Sequence, residues 1–213
     1  RVAEYYQQRA ADFISEKRIA GVPRDLAYLP RESDAGRDYL DAMRIAQEYA
    51  AQNRRLIAAT LLGYFEVGGR RAEMDESVLR DVRSVKSIHN YISFEDGVIR
   101  KGAISAHAGE ELIIPLTMRD GVIVGVGKGN AAWNCSAPHG AGRVLSRTLA
   151  KEALDMKDYV REMSGVWSSC VNRHTLDESP MAYKPKEAII PYLSATMEVH
   201  TIMKPVYNFK AVE

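Results

Sequence analysis

The chain has little of several things that would settle its class at once. Among 213 residues it carries only two cysteines, Cys135 and Cys170. That is too few for a disulfide framework and fits a reducing, cytoplasmic setting, the compartment expected here. No apolar run approaches the about 18 residues that a membrane span needs, so no membrane partner is expected, and no signal peptide is expected either. Neither sign of charge is in excess, with 29 Lys and Arg against 28 Asp and Glu giving a net +1. A nucleic-acid-binding surface therefore gets no help from overall charge and has to be a local cluster. The five histidines, His89, His107, His139, His174 and His200, show no His-x-x-x-His spacing, and the cysteines no Cys-x-x-Cys. The sequence thus builds no self-sufficient metal site. Repeats and low-complexity tracts are missing as well. What remains, 46% hydrophobic and 27% charged, is ordinary globular composition in a chain long enough for one large domain or two small ones.

The first third is helical in pattern. Val2, Tyr5, Tyr6, Ala10, Phe13 and Ile14 recur at helical spacing over 2–19, and Gly21 and Pro23 close that run. A longer helix is predicted over 36–65, striped by Tyr39, Met43, Ala46, Tyr49, Ala50, Leu56, Ile57 and Leu61. Gly68-Gly69 breaks it, and 77–82 suggests a short helix. From Val85 the period falls toward two. Strands are expected over 85–94 and 98–101 around Glu95-Asp96-Gly97, and over 111–116 and 122–126 around a second turn at 118–121. Helices are expected over 143–154 and 156–163, a short strand at 166–171, one or two helical turns over 186–193, and a terminal strand pair over 197–209. The reading is α+β: a helical subdomain, 1–82, packed on a β-rich mixed core, 83–213, and not a doubly wound α/β fold.

The densest chemical signal is Pro138-His139-Gly140-Ala141-Gly142-Arg143. Pro138 fixes the backbone entering the turn, while Gly140 and Gly142 admit positive φ and close approach of a ligand. Backbone N–H groups in such a turn, ahead of a helix expected from Arg143, make an anion cradle. Arg143 and Arg147, four apart, would face that anion together. A histidine at the lip of a phosphate cradle is a candidate nucleophile or acid/base. From the residues alone, a glycine-rich turn carrying an exposed histidine is an equal reading.

His-Gly-Ala-Gly-Arg-x-x-Ser-Arg, following Asn-x-Ser-Ala-Pro, resembles the signature of the RtcB family. These are GTP- and manganese-dependent RNA ligases that join a 3′-phosphate or 2′,3′-cyclic phosphate end to a 5′-hydroxyl. The resemblance implies that His139 carries GMP covalently, that Gly140, Ala141 and Gly142 belong to the nucleotide site, and that Arg143 and Arg147 grip phosphates. His89-Asn90 ahead of Arg100-Lys101-Gly102-Ala103 matches a second family segment. It implies a manganese ligand at His89 and a contact to the guanylate phosphate at Asn90, with Arg100 and Lys101 adding charge nearby. By residue type alone, His89 is more often a packed, hydrogen-bonded histidine. Thr117 lies where the family binds guanine, but Arg119-Asp120-Gly121-Val122 replaces its serine-rich run, and Val122 offers no donor or acceptor. Asp177-Glu178-Ser179-Pro180-Met181-Ala182-Tyr183-Lys184 resembles the family's base-binding loop. There Tyr183 would stack on guanine, and Asp177 or Glu178 would bond its N1 and N2 donors. The tail Tyr207-Asn208-Phe209-Lys210 implies a nucleotide contact at Lys210, and Asn53-Arg54 fits a run on the family's long helix.

Only the C-terminal portion of the family pattern is matched. Its Asp-x-x-Cys, Gly-Asn-His and His-x-Gly-Ser-Arg-Gly segments, with the remaining metal ligands, are expected ahead of Arg1, in an N-terminal part that would act as a partner. Arg1, not Met and already inside a helical pattern, points to a processed or truncated product. The implied function is ligation in RNA splicing or repair through a histidine–GMP intermediate, with this portion inactive by itself. The alternative is a non-catalytic phosphate- or RNA-binding module that kept the cradle without the metals.

Overall fold

A computed structural model describes residues 2–62, 66–67, 70–71 and 82–210 and separates into two units, Arg1–Arg83 and Ser84–Glu213. In the first unit, α1 (Val2–Glu16) and α2 (Asp34–Leu62) are followed by a short antiparallel pair, β1 (Glu66–Val67) and β2 (Arg70–Arg71). Ala10 and Ile14 of α1 and Gly36 and Ala59 of α2 are buried. Tyr6 meets Tyr39 edge-on at 5.2 Å and donates its hydroxyl to the Asp38 carbonyl at 3.0 Å. α1 stops short of the residues expected to end it, because Arg18 turns left-handed (φ 51°) and Ile19 N–H returns to the Ile14 carbonyl at 3.0 Å. That left-handed closure satisfies a terminal carbonyl without needing Gly21. α2 also differs from its expected stripe: Tyr49, Leu56, Ile57 and Leu61 are all more than half exposed. The small side of the helix packs instead. A Cβ at Gly36 would lie 2.0 Å from the Pro30 carbonyl oxygen, so only glycine fits there. Gly68-Gly69 and all but the last residue of the helix expected at 77–82 lie outside the described residues.

The second unit is built from short antiparallel pairs. β3 (Tyr91–Ile92) pairs with β4 (Ile99–Arg100), and β5 (Ala103–Ser105) pairs with β8 (Ser136–Pro138). β6 (Glu111–Pro115), β7 (Val122–Gly127) and β9 (Met197–Met203) form one sheet in the order β6-β7-β9. Between β8 and β9 lie α3 (Arg147–Ala153), α4 (Met156–Glu162) and α5 (Ile190–Leu193). β7 alternates half-buried and buried positions along its length, the period-two pattern of a strand with one face on a core. That core holds Ile104, Leu112, Ile114, Ile123, Ala137, Leu193 and Met197. Met118, Tyr159, Met163 and Leu176 make a smaller one. Helices with antiparallel sheets make this an α+β protein. Among the described residues no helix is long and apolar enough to cross a membrane.

Four expectations need correction here. The strand over 85–94 shrinks to Tyr91–Ile92, and the chain before it runs past the free edge of β6, where Ser87 Oγ accepts the Ile113 N–H at 2.9 Å. The strand at 166–171 is a single parallel bridge between Trp167 and Tyr207. The terminal strand pair is one strand, β9, which Pro205 follows as a breaker. The helix expected from Arg143 begins at Arg147 instead, because Ser146 caps it by accepting the Leu149 N–H at 3.2 Å.

Candidate functional site

His139 immediately follows β8, at the mouth of a cavity of about 760 Å³ that Gly140, Ala141, Gly142, Arg143, Arg147, Lys151, His174, Asp177, Glu178, Tyr183 and Lys210 help to line. Two of its interactions define its chemistry. Nδ1 lies 2.6 Å from the Gly102 carbonyl oxygen, and the ring stacks on His89 with centroids 5.0 Å apart and planes 18° from parallel. A carbonyl can only accept, so Nδ1 carries the proton and Nε2 of the neutral ring keeps the lone pair. Gly102 is held in turn: its N–H donates to Asn90 Oδ1 at 2.9 Å. Asn90 and Gly102 are both left-handed, at φ 58° and 66°. The β3–β4 hairpin and the residues flanking it thus aim the histidine through one glycine.

The cradle differs from its expected form. Gly142 does have positive φ, 71°, but Gly140 does not; glycine serves there because an added Cβ would stand 3.2 Å from the Pro115 carbonyl oxygen. Ala141 is buried in the main core. No helix N-terminus stands directly behind the turn, since residues 143–146 precede α3. Arg143 and Arg147 therefore do not share a helical face. Arg143 makes an isolated antiparallel bridge with Tyr183 and is spent on structure. Its Nε donates to the Leu145 carbonyl at 3.0 Å and its other nitrogens donate to the Tyr183 hydroxyl at 2.8 Å, to Glu178 at 3.5 Å and to the Asp177 carbonyl. Its guanidinium also lies 4.8 Å from the Tyr183 ring centroid. The i, i+4 pair on α3 that faces the cavity is Arg147 with Lys151.

Asp177 and Glu178 turn out to be the counter-charges of this pocket. Asp177 meets Arg147 at 2.7 Å and Lys151 at 3.5 Å. Glu178 meets Arg147 at 2.8 Å, Lys210 at 3.0 Å and the Tyr183 hydroxyl at 2.8 Å. Burial pushes the Glu178 carboxyl up, but the Tyr183 and Lys210 hydrogen bonds, with the charges of Lys210 and Arg147, outweigh it and hold it below its ordinary value. Asp177 is likewise lowered: burial opposes, and Arg147 and Lys151 prevail. Tyr183 is pushed up to about 12 by burial and by its bond to the Glu178 carboxylate. The sequence places these two acids against a base and does not show their pairing, because the cationic partners lie 26 or more residues away. His174 and Lys151 were also missed.

A neighbouring cavity of about 500 Å³ shares Pro115, Leu116, Tyr183 and Lys210 with the first and adds Thr117, Val122, Tyr207 and Asn208. Thr117 is not an open hydroxyl: it donates to Asp120 at 2.7 Å and accepts the Asp120 N–H at 3.0 Å, tying the β6–β7 turn. Asn208 Oδ1 is the one buried side-chain polar atom without a partner among the described residues. Arg100 and Lys101 stand outside both cavities. Arg100 is 2% exposed, pairs with Asp96 at 2.7 Å, and donates to Ser136 Oγ at 2.9 Å and the Asn134 carbonyl at 3.2 Å. It holds the loop leading into β8 and His139 rather than reaching a ligand. No group of three or more His, Cys, Asp or Glu able to hold a metal ion exists among the described residues, so His89 is at most one ligand of a site.

Comparison with known proteins gives the family. A family model described as tRNA-splicing ligase RtcB matches residues 1–211. The RNA-splicing ligase RtcB of Escherichia coli K12 is 34% identical over 194 residues, covering 88% of this chain and 47% of that protein. The tRNA-splicing ligase RtcB of Thermococcus kodakarensis is 31% identical over 227 residues, covering 86% and 45%. That of Nanoarchaeum equitans is 30% identical over 215 residues, covering 86% and 44%. The chain spans about half the length of these relatives. Since the family model matches nearly its whole length, the chain belongs to the tRNA-splicing ligase RtcB family.

Proposed function

We propose that this chain is the nucleotide-transferring portion of an RNA ligase that joins a 3′-phosphate or 2′,3′-cyclic phosphate end to a 5′-hydroxyl, with GTP as cosubstrate. The observation that carries the proposal is His139: Nδ1–H is pinned to the Gly102 carbonyl, Nε2 has no hydrogen-bond partner among the described residues, and the ring opens on a cavity with four cationic side chains. Nε2 attacks the α-phosphorus of GTP; an N–P bond forms as the P–O bond to pyrophosphate breaks. The positive charge left on the ring is stabilised through Nδ1–H by the Gly102 carbonyl. Arg147, Lys151 and Lys210 stabilise the phosphates, displacing their present pairing with Asp177 and Glu178. A 2′,3′-cyclic end first takes up water, which breaks the P–O2′ bond and leaves a 3′-phosphate and a 2′-hydroxyl; an oxygen of the RNA 3′-phosphate then takes the guanylyl group from His139. Finally the 5′-hydroxyl attacks the activated 3′-phosphate, forming the phosphodiester and releasing GMP.

Guanine is assigned to the second cavity, where Tyr183 offers a ring face. Lys210 and the main-chain groups around Thr117 bracket that position, and Asn90 is assigned to holding the Gly102 peptide in addition to any phosphate contact. Manganese is the expected metal. His89 is the ligand this chain offers; it does not complete a site with the described residues, so no step above runs through the metal. Two free cysteines fit a cytoplasmic setting.

The test uses the full-length protein with GTP, manganese and two RNAs, one ending in a 3′-phosphate and one beginning with a 5′-hydroxyl. A joined product that requires all components is expected. Joining of a 3′-hydroxyl to a 5′-phosphate instead would overturn the proposal.

A further inference from the structure

A third cavity, a groove of about 670 Å³, lies beside the site and takes no part in the chemistry above. We propose that it is the path of single-stranded RNA next to the end joined at His139, with bases stacked on Trp133 and Tyr192 and phosphates facing Lys101. The proposal rests on the ligase reading and adds where the polymer lies. Trp133 is 59% exposed, Tyr192 78% and Ile99 73%, all on this one groove.

These aromatic faces sit on braced backbone. Trp133 ends a 3-10 turn capped by Asn130, whose Oδ1 accepts the Ala132 N–H at 3.0 Å while its Nδ2 donates to the Ala195 carbonyl at 2.8 Å. Lys128 Nζ donates to the Ser194 carbonyl at 2.7 Å. The two bonds tie the turn carrying Trp133 to the segment carrying Tyr192, so both shelves are set before a ligand arrives, which lowers the ordering cost of binding.

Charge and position name the occupant. No carboxylate is among the described residues that line the groove, whereas the His139 cavity carries two. The Arg100 charge is met by Asp96, but Lys101 makes no ion pair among the described residues. Aromatic faces beside an unpaired lysine are what unstacked bases on a polyanion need; a duplex keeps its bases stacked inward and cannot use them. The groove also adjoins the residues that position the nucleophile. Gly102 and Pro138 lie in its wall, and Gly102 is the residue that holds His139.

The two tryptophans are Trp133 and Trp167, so a full-length Trp167→Phe protein with no other tryptophan retained outside this chain reports on Trp133 alone. It is titrated with a short oligouridylate ending in a 3′-phosphate. Saturable quenching is expected. In fluorescence anisotropy with the labelled oligomer, Trp133→Ala and Tyr192→Ala should each weaken binding about 5- to 150-fold, the range for one lost base stack, while Trp133→Phe retains most of it. RNA binding without quenching, or unchanged in both alanine variants, overturns the proposal. So does equal affinity for a blunt duplex, or a Trp133→Ala protein that also fails to take up GMP, which would make Trp133 a support of the His139 loop. Absence of both RNA binding and GMP uptake in the parent protein fails the ligase reading itself. If Trp133 and Tyr192 are shielded in the full-length protein and oligouridylate still binds, the groove is a protein-packing surface and the proposal falls.

Discussion

Replacing Asp96 tests how the loop before His139 is held. Arg100 is 2% exposed and loses its one close carboxylate in Asp96→Ala, keeping Ser136 Oγ and the main-chain carbonyl of Asn134. Breaking a fully buried pair costs about 3–5 kcal/mol. The Asp96 side chain remains 21% exposed, so water can partly replace it, and about 2–3 kcal/mol is expected. Against a typical domain stability of about 5–15 kcal/mol that loss is large. It corresponds to a fall in Tm of about 5–10 °C. The sign with pH follows from the Arg100 hydrogen bond, which holds the Asp96 carboxyl well below the usual carboxylate range. A depressed folded value means the contribution is complete above the unfolded value of about 3.9 and is lost as pH falls through the folded one. The measurement is urea unfolding followed by circular dichroism at neutral pH and at about pH 3. Because His107 Nε2 lies 3.1 Å from the same Asp96 oxygen, both proteins should carry His107→Gln. A gap between parent and variant below about 0.5 kcal/mol, or one that does not shrink in acid, would refute the reasoning.

Three further outcomes follow from the site. Glu178→Gln removes the carboxylate that helps push Tyr183 up to about 12, so the Tyr183 ring-carbon NMR resonance should titrate at lower pH; an unchanged midpoint contradicts the pairing. Joint Arg143→Ala and Arg147→Ala should weaken binding of phosphate-ended RNA and flatten its salt dependence by about one log–log unit, mainly through Arg147 because Arg143 is already engaged. Equal effects of the two single variants on the slope would return Arg143 to phosphate binding. Gly142→Ala, at φ 71°, should cost about 1–2 kcal/mol in urea unfolding, and a neutral result would mean the turn is not held in that conformation.

The sequence made some parts legible and hid others for physical reasons. Periodicity exposed α1, α2 and the β6–β7 hairpin, because each has a long run with one regular period. It overextended β3, whose preceding residues bond the edge of β6 through a side chain and so never form a ladder. Ser146 was a readable N-cap, and overlooking it put Arg143 on a helix it does not join. His139 stood out because proline and glycine surround it, but the carbonyl that fixes its tautomer comes from Gly102, 37 residues away. No local pattern carries that pairing. The same holds for Asp177 and Glu178, whose cationic partners come from two distant segments, 143–151 and the tail at Lys210.

The central claim is that His139 Nε2 is the nucleophile, and labelling tests it most directly. Full-length protein is incubated with α-³²P-labelled GTP and manganese, denatured, and mapped by mass spectrometry. The account predicts one acid-labile phosphoramidate on Nε2 of His139, absent from His139→Ala, with this 213-residue chain alone left unlabelled. Label that persists in His139→Ala, or that maps to Nδ1, would contradict it.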